Sequence, residues 1–302
     1  MQPTVLANAV WTLHLLPEWG GRIAALQAEG LDILTPIRSH HFDPLDWPRA
    51  GAYPLFPYSN RLRQARLQFQ DQHYHLPAHP AALPHTLHGI GHTLPWHITA
   101  QADDSLTLTC DYQGEHWPWR FRAEQCFTLQ GNTLLMTLSL RNQDSSPMPG
   151  GLGLHPYFQR HPGMVARFHA ERDWQLQDDY LTTGSYRPGG DMRIDVPLDD
   201  EPASATALAH YLSEWDGLLQ LDYAPQVSQQ GSRRQLQLEA SSTLSHFVAF
   251  APADAPYLCL EPVSHLADAF NFPPSRWPET GTQVLQPGES LTASLSWHWQ
   301  SL

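Results

Sequence analysis

The sequence predicts an all-β protein, and three observations carry that prediction. Prolines number 27 among 302 residues, well above the usual share of about 5%. They sit with Gly, Asp and Asn between short apolar-alternating runs, the punctuation of strands rather than helices. Two runs alternate cleanly over a full strand length, whereas helical periodicity is weak throughout. Many strands at short spacing imply a sandwich or a barrel.

In chain order, weak alternation at residues 12–15 and 22–34 opens the molecule, followed by 106–112 and 121–129. The clearest strand is 133–141, where Leu134, Met136, Leu138 and Leu140 alternate with Thr133, Thr137, Ser139 and Arg141. Gly131-Asn132 immediately before it suits a hairpin turn back to 121–129. Weaker strands are expected at 218–223, 235–239 and 246–250. Leu291, Ala293, Leu295, Trp297 and Trp299 then alternate with polar residues, as in a half-buried antiparallel strand. The best helical candidates are 206–214 and 264–270. No internal repeat or linker is visible, so a single domain over 1–302 is expected, with Trp96, Trp215 and Trp297 in its core.

The 17 cationic residues are all arginine, and against 30 acidic ones they leave a formal charge of −13. That argues against a nucleic-acid backbone or an anionic membrane as partner, since both require clustered cations. A neutral or weakly charged small molecule fits better. The first 21 residues lack a cationic n-region, and their apolar run is broken by His14, Pro17 and Glu18, so a cytoplasmic protein is expected. Cys110, Cys126 and Cys259 suggest neither a disulfide framework nor a zinc spacing, and read as small core residues.

Three segments place titratable residues among apolar or glycine-rich neighbours. In Pro57–Arg63, followed by Leu87-His88-Gly89, Arg61 offers five fixed donors and Asn60 both a donor and an acceptor. In Gly151–Phe158, His155 stands between a glycine-alternating apolar run and two aromatics, as a proton carrier near neutrality or as a core histidine. In Tyr257–His265, Glu261 ends an apolar run, where a carboxylate needs partners or a raised pKa. His73-x-His75 and His85-x-x-His88 lack a matching third ligand, so no metal site is expected. No phosphate loop, dinucleotide turn or nucleophile elbow occurs. Chemistry by side chains alone is left.

Taken together and in order, these segments resemble the aldose 1-epimerase (galactose mutarotase) family. The blocks are 17–26, beginning Pro17-Glu18-Trp19-Gly20-Gly21-Arg22; 54–63; His85-Thr86-Leu87-His88-Gly89; 151–158; Leu260-Glu261-Pro262-Val263-Ser264-His265; and Asp268-Ala269-Phe270-Asn271. The resemblance implies a large antiparallel β-sandwich, the galactose mutarotase-like supersandwich, with an open sugar cleft on one sheet. It implies an isomerase that interconverts sugar anomers without cofactor or metal, as a monomer or homodimer. It assigns Glu261 as general base and His155 as general acid, with His88 assisting near the ring oxygen and Asn60 and Arg61 binding the sugar. Relatives often carry an aspartate where Leu208-Ala209-His210 has Ala209, and Asp216 in Trp215-Asp216-Gly217 is a candidate substitute. His92 stands where many relatives carry tryptophan. Two alternatives stay open: a hexose-6-phosphate 1-epimerase using Arg61, Arg63 and Arg66, and a non-catalytic sugar-binding or sensor protein.

Overall fold

A computed structural model describes residues 2–198, 207–228, 231–253 and 255–302. The chain is mostly antiparallel strand, and the single α-helix among the described residues is the short Trp277–Thr280. Among the described residues, strands pair through a ladder of 17 strands with two branches. The first branch passes from Trp11–Leu16 and Arg22–Ala28 through Ala52–Leu55, Gly153–Gln159, Tyr257–Val263 and His246–Ala251. It ends on the first half of Leu208–Tyr223. The second branch leaves the other half of that strand and continues through Arg234–Ala240, Ser290–Ser301, Thr133–Asn142, Phe121–Gln130 and Ser105–Tyr112.

The branches form the layers of a large β-sandwich, because each strand turns alternate side chains inward. Leu134, Leu138, Leu154, Phe158, Leu260 and Trp297 are among the fully buried residues. Phe158 from one layer meets Trp297 from the other with ring centroids 5.7 Å apart. Trp96 and Trp215 are also buried, as expected.

The clean alternations emerge as the strands Thr133–Asn142 and Ser290–Ser301, directly paired. Gln130 faces Thr133 across the two-residue Gly131-Asn132 turn. The 22–34 run divides into Arg22–Ala28 and Leu31–Asp32, joined by Glu29 and Gly30 at φ 47° and 79°. Two consecutive positive φ values are what a tight right-twisted hairpin needs.

Both helical candidates are corrected. Residues 208–214 belong to the strand Leu208–Tyr223, while Thr206 lies outside the described residues. The helical spacing of Leu208, Tyr211, Leu212 and Trp215 arises because both faces of the strand are covered, Leu208 and Leu212 on one and Tyr211 on the other, and because positive φ at Glu214 (54°) and Gly217 (83°) interrupts it around Trp215. An interruption shifts the phase of a period-2 pattern, and here the strand changes partner from His246–Ala251 to Arg234–Ala240. Within 264–270 only the 3₁₀ turn Ala269–Asn271 begins, because Asp268 at φ 62° blocks a continuous helix.

Candidate active site

Five neighbouring strands of the first layer present one face outward, and their register aligns the side chains in rows. Tyr53 stands opposite His155, Glu261 opposite Val248, and Val248 opposite Tyr211. Pairing of Gly153 with Val263 and of Tyr157 with Cys259 brings His155 across from Glu261. A second row runs Tyr157, Cys259, Phe250 and Ala209. These rows floor a cleft of about 280 Å³, walled by segments that carry Trp47, Arg49, Asn60, Arg61, His88 and Tyr180.

At the centre of the floor, His155 Nε2 lies 3.3 Å from Glu261 Oε1. The residues are only 6% and 3% exposed. Burial disfavours whichever form is charged, and the two groups move in opposite directions. Burial raises Glu261 to about 8, with Arg61 opposing the rise. Burial lowers His155 to about 3, and the cations of Arg49 and Arg22 lower it further. The pair therefore holds one proton between them across neutral pH. Tyr53 stacks on His155 at 4.6 Å, and the buried Arg22 guanidinium lies 4.5 Å from the same Tyr53 ring.

His88 and Asn60 form a second unit. Both have left-handed backbones, at φ 61° and 60°, a conformation that costs roughly 1–2 kcal/mol for a residue with a side chain. Reciprocal bonds hold them there: His88 N–H donates to Asn60 O at 2.8 Å, and Asn60 N–H donates to His88 Nδ1 at 3.1 Å. Because Nδ1 accepts, the ring proton resides on Nε2. Burial keeps His88 well below the usual histidine range, reinforced by His155, so this ring is a neutral donor. Gly89 follows at φ 69°, and a Cβ there would stand 2.2 Å from Phe56 O. Tyr211 O–H donates to Asn60 Oδ1 at 3.3 Å. Arg61 lies against the Tyr180 ring at 5.0 Å.

Five of the six candidate residues thus meet in one cleft, and Asp216 does not. It is exposed in the interruption of Leu208–Tyr223 and accepts Leu218 N–H at 2.9 Å, a local turn bond. His92 is fully buried behind the wall, 4.7 Å from the Trp47 ring. Ala209 occupies the end of the second row. The Arg61, Arg63 and Arg66 cluster does not form: Arg63 pairs with Asp268 at 3.3 Å, and Arg66 is exposed on the Arg66–Phe69 hairpin strand.

Tyr53, Tyr157, Tyr211 and Cys259 also line the cleft. Tyr157 follows His155 by two residues and Cys259 precedes Glu261 by two, so strand periodicity would have found both. Trp47 and Arg49 come from a stretch without strand or helix, where no such signal exists. His155, Cys259 and Glu261 bring potential ligand atoms within 4.8 Å of one another. Burial raises the Cys259 thiol well above its ordinary value, and the neutral thiol is a weak ligand.

The profile of the family described as aldose 1-epimerase matches residues 12–298. The chain belongs to the aldose 1-epimerase family. Escherichia coli YphB, itself uncharacterized, is 28% identical over 253 residues, covering 82% of this chain and 83% of YphB. A crystal structure from E. coli K12, named as a candidate aldose 1-epimerase, matches with TM-score 0.82 and 24% identity over 99% of both chains. A galactose mutarotase-like protein from Clostridium acetobutylicum matches with TM-score 0.81 and 18% identity, over 99% of this chain and 95% of the other. The structural matches establish a galactose mutarotase-like fold for this aldose 1-epimerase family member, and the large antiparallel sandwich is the architecture expected from its sequence. Among its described residues no helix is long and apolar enough to cross a membrane.

Proposed function

We propose that the protein is a mutarotase, converting the α and β anomers of an aldose into one another by ring opening and reclosure. The observation that carries this reading is the buried 3.3 Å contact of His155 with Glu261 on the floor of an open cleft. The anomeric hydroxyl oxygen and the ring oxygen are bonded to the same carbon, so an acid and a base this close can reach both. With the shared proton on His155, Glu261 removes the proton from O1 while His155 protonates O5. The C1–O5 bond breaks and C1=O1 forms. After rotation about C1–C2, His155 takes the proton back from the O5 hydroxyl as O5 attacks C1, and Glu261 returns a proton to O1. Arg61 favours ionised Glu261, and His88 Nε2–H donates to a sugar oxygen. Acid and base each contribute typically ~10²–10⁴-fold.

The reading also takes residues 1–302 as one domain that acts on a free sugar in the cytoplasm. Polarimetry of freshly dissolved α-D-glucose and α-D-galactose tests it: approach to equilibrium should accelerate with the protein and not with Glu261→Gln. Ala209, on the cleft face without a carboxylate, favours a second reading as a sugar-binding protein. Sugar binding with no acceleration would select that one.

A further inference from the structure

We propose that the cleft selects an aldose bearing an anionic group remote from C1, a carboxylate or a phosphate, received by Arg49 and Arg61. This substrate class rests on the mutarotase reading of the same cleft. Arginine is the only cationic side chain besides histidine in a chain with 30 acidic residues, so acidic partners are plentiful. Nine arginines use one: Arg63, Arg120, Arg122, Arg167, Arg172, Arg187, Arg193, Arg234 and Arg276 all form carboxylate ion pairs. Arg49 and Arg61 are not among them, and what sets these two apart from the other remaining arginines is that both line the cleft.

Aromatic rings hold each of them instead. Arg49 lies 5.1 Å from the Trp47 ring and Arg61 lies 5.0 Å from the Tyr180 ring. A ring orients a guanidinium without neutralising it, and the Tyr157 hydroxyl that Arg49 also bonds is neutral, so each cation keeps its charge and has donors left for another partner. Both positive charges are felt at His79, which places them around the same mouth. Neither charge has a carboxylate within ion-pair distance among the described residues.

The cleft offers little compensation. Glu261 is the single carboxylate among its lining residues, and it shares the one proton of its pair with His155. Ala209, at the end of the row formed by Tyr157, Cys259 and Phe250, supplies no second one. The cleft is therefore locally cationic within a protein of net charge −13, and a carboxylate or phosphate is the group a guanidinium fork matches bidentately.

The test compares kcat/KM for anomer exchange of D-glucose, D-glucuronate and D-glucose 6-phosphate, measured by polarimetry or NMR exchange at two salt concentrations. At least one anionic sugar should exceed glucose by about tenfold, the scale of one charge-assisted hydrogen bond, and added salt should erode that advantage. Which of the two anionic sugars shows it identifies the anion. Arg49→Gln should shrink the anionic-to-neutral ratio about tenfold, and Ala209→Asp should shrink it too by restoring a negative charge to the floor. Glucose turned over as well as both anionic sugars, at either salt concentration, would overturn this inference and leave the mutarotase reading standing. If no sugar is accelerated, that reading fails, and isothermal titration calorimetry of the three sugars decides the charge preference separately. Tighter binding of glucuronate or glucose 6-phosphate than of glucose would uphold it, and equal or absent binding would overturn it.

Discussion

At the scale of residues, the central fact is that one proton serves two buried groups. Glu261 is raised to about 8 and His155 lowered to about 3 by the same burial, so the one-proton form of the pair spans neutrality. That form contains both the carboxylic acid with neutral imidazole and its tautomer, the carboxylate with imidazolium, and the second is the reactive arrangement. A solitary glutamate base would gain activity with rising pH. The pair predicts the opposite: kcat/KM should be level through pH 6–7 and fall as pH rises past about 8, when the last proton leaves. Rates corrected for the base-catalysed background would show this limb, and a rate still climbing at pH 9 would mean that the two groups do not share a proton. Glu261→Gln and His155→Asn should each lower kcat by roughly 10²–10⁴ with circular dichroism unchanged. Retention of near-normal turnover by either variant would remove it from the proton path.

At the scale of elements, the strand Leu208–Tyr223 joins the two layers, and its interruption at Glu214–Gly217 is where it changes partner. The bond from Leu218 N–H to Asp216 Oδ1 closes that turn. Asp216→Ala should therefore cost about 1 kcal/mol of stability, the worth of one hydrogen bond, while KM for sugar stays as it was. A raised KM with unchanged thermal stability would return Asp216 to the cleft. The same strand shows why some of the fold was illegible in the sequence. Period-2 alternation was readable in Thr133–Asn142 and Ser290–Ser301, where no residue interrupts the pleat. In Leu208–Tyr223 both faces are covered and the interruption moves Trp215 out of phase, which together counterfeit a helix. The candidate site divides in a similar way: His155 and Glu261 stood out as titratable groups in apolar strands, Arg61 and Asn60 as donor-rich residues in the segment before Leu87-His88-Gly89, and the role of His88 came through the resemblance. Trp47 and Arg49 come from an irregular segment whose position depends on tertiary packing, which no local pattern encodes.

At the scale of the whole molecule, acid stability follows from how many histidines are folded in neutral form. His88, His92, His155, His246 and His265 are all buried, and burial lowers the pKa of each. Two of them accept backbone donors that a second proton would displace: Asn60 N–H on His88 Nδ1 at 3.1 Å, and Ser59 N–H on His265 Nε2 at 3.1 Å. A histidine whose folded pKa lies below its unfolded value contributes stability that is complete above about 6.5 and is lost as pH falls toward the folded pKa. Glu261 has the reverse sign, since its raised pKa favours the fold at low pH and this contribution is lost as pH rises through about 8. Burial raises the Asp268 carboxyl as well, and five histidines against these two carboxyls leave the acid limb dominant. The net charge of −13 pulls the other way, because acidification relieves self-repulsion, but that long-range effect is screened by salt and desolvation of a buried imidazole is not. Tm measured by calorimetry should therefore fall below pH ~6.5, with a pH dependence of stability corresponding to the uptake of more than one proton and persisting in high salt. A Tm that holds level from pH 7 to pH 5 would show that these rings already carry their second proton in the folded protein, and His88 could then not be the neutral donor assigned to it in the cleft.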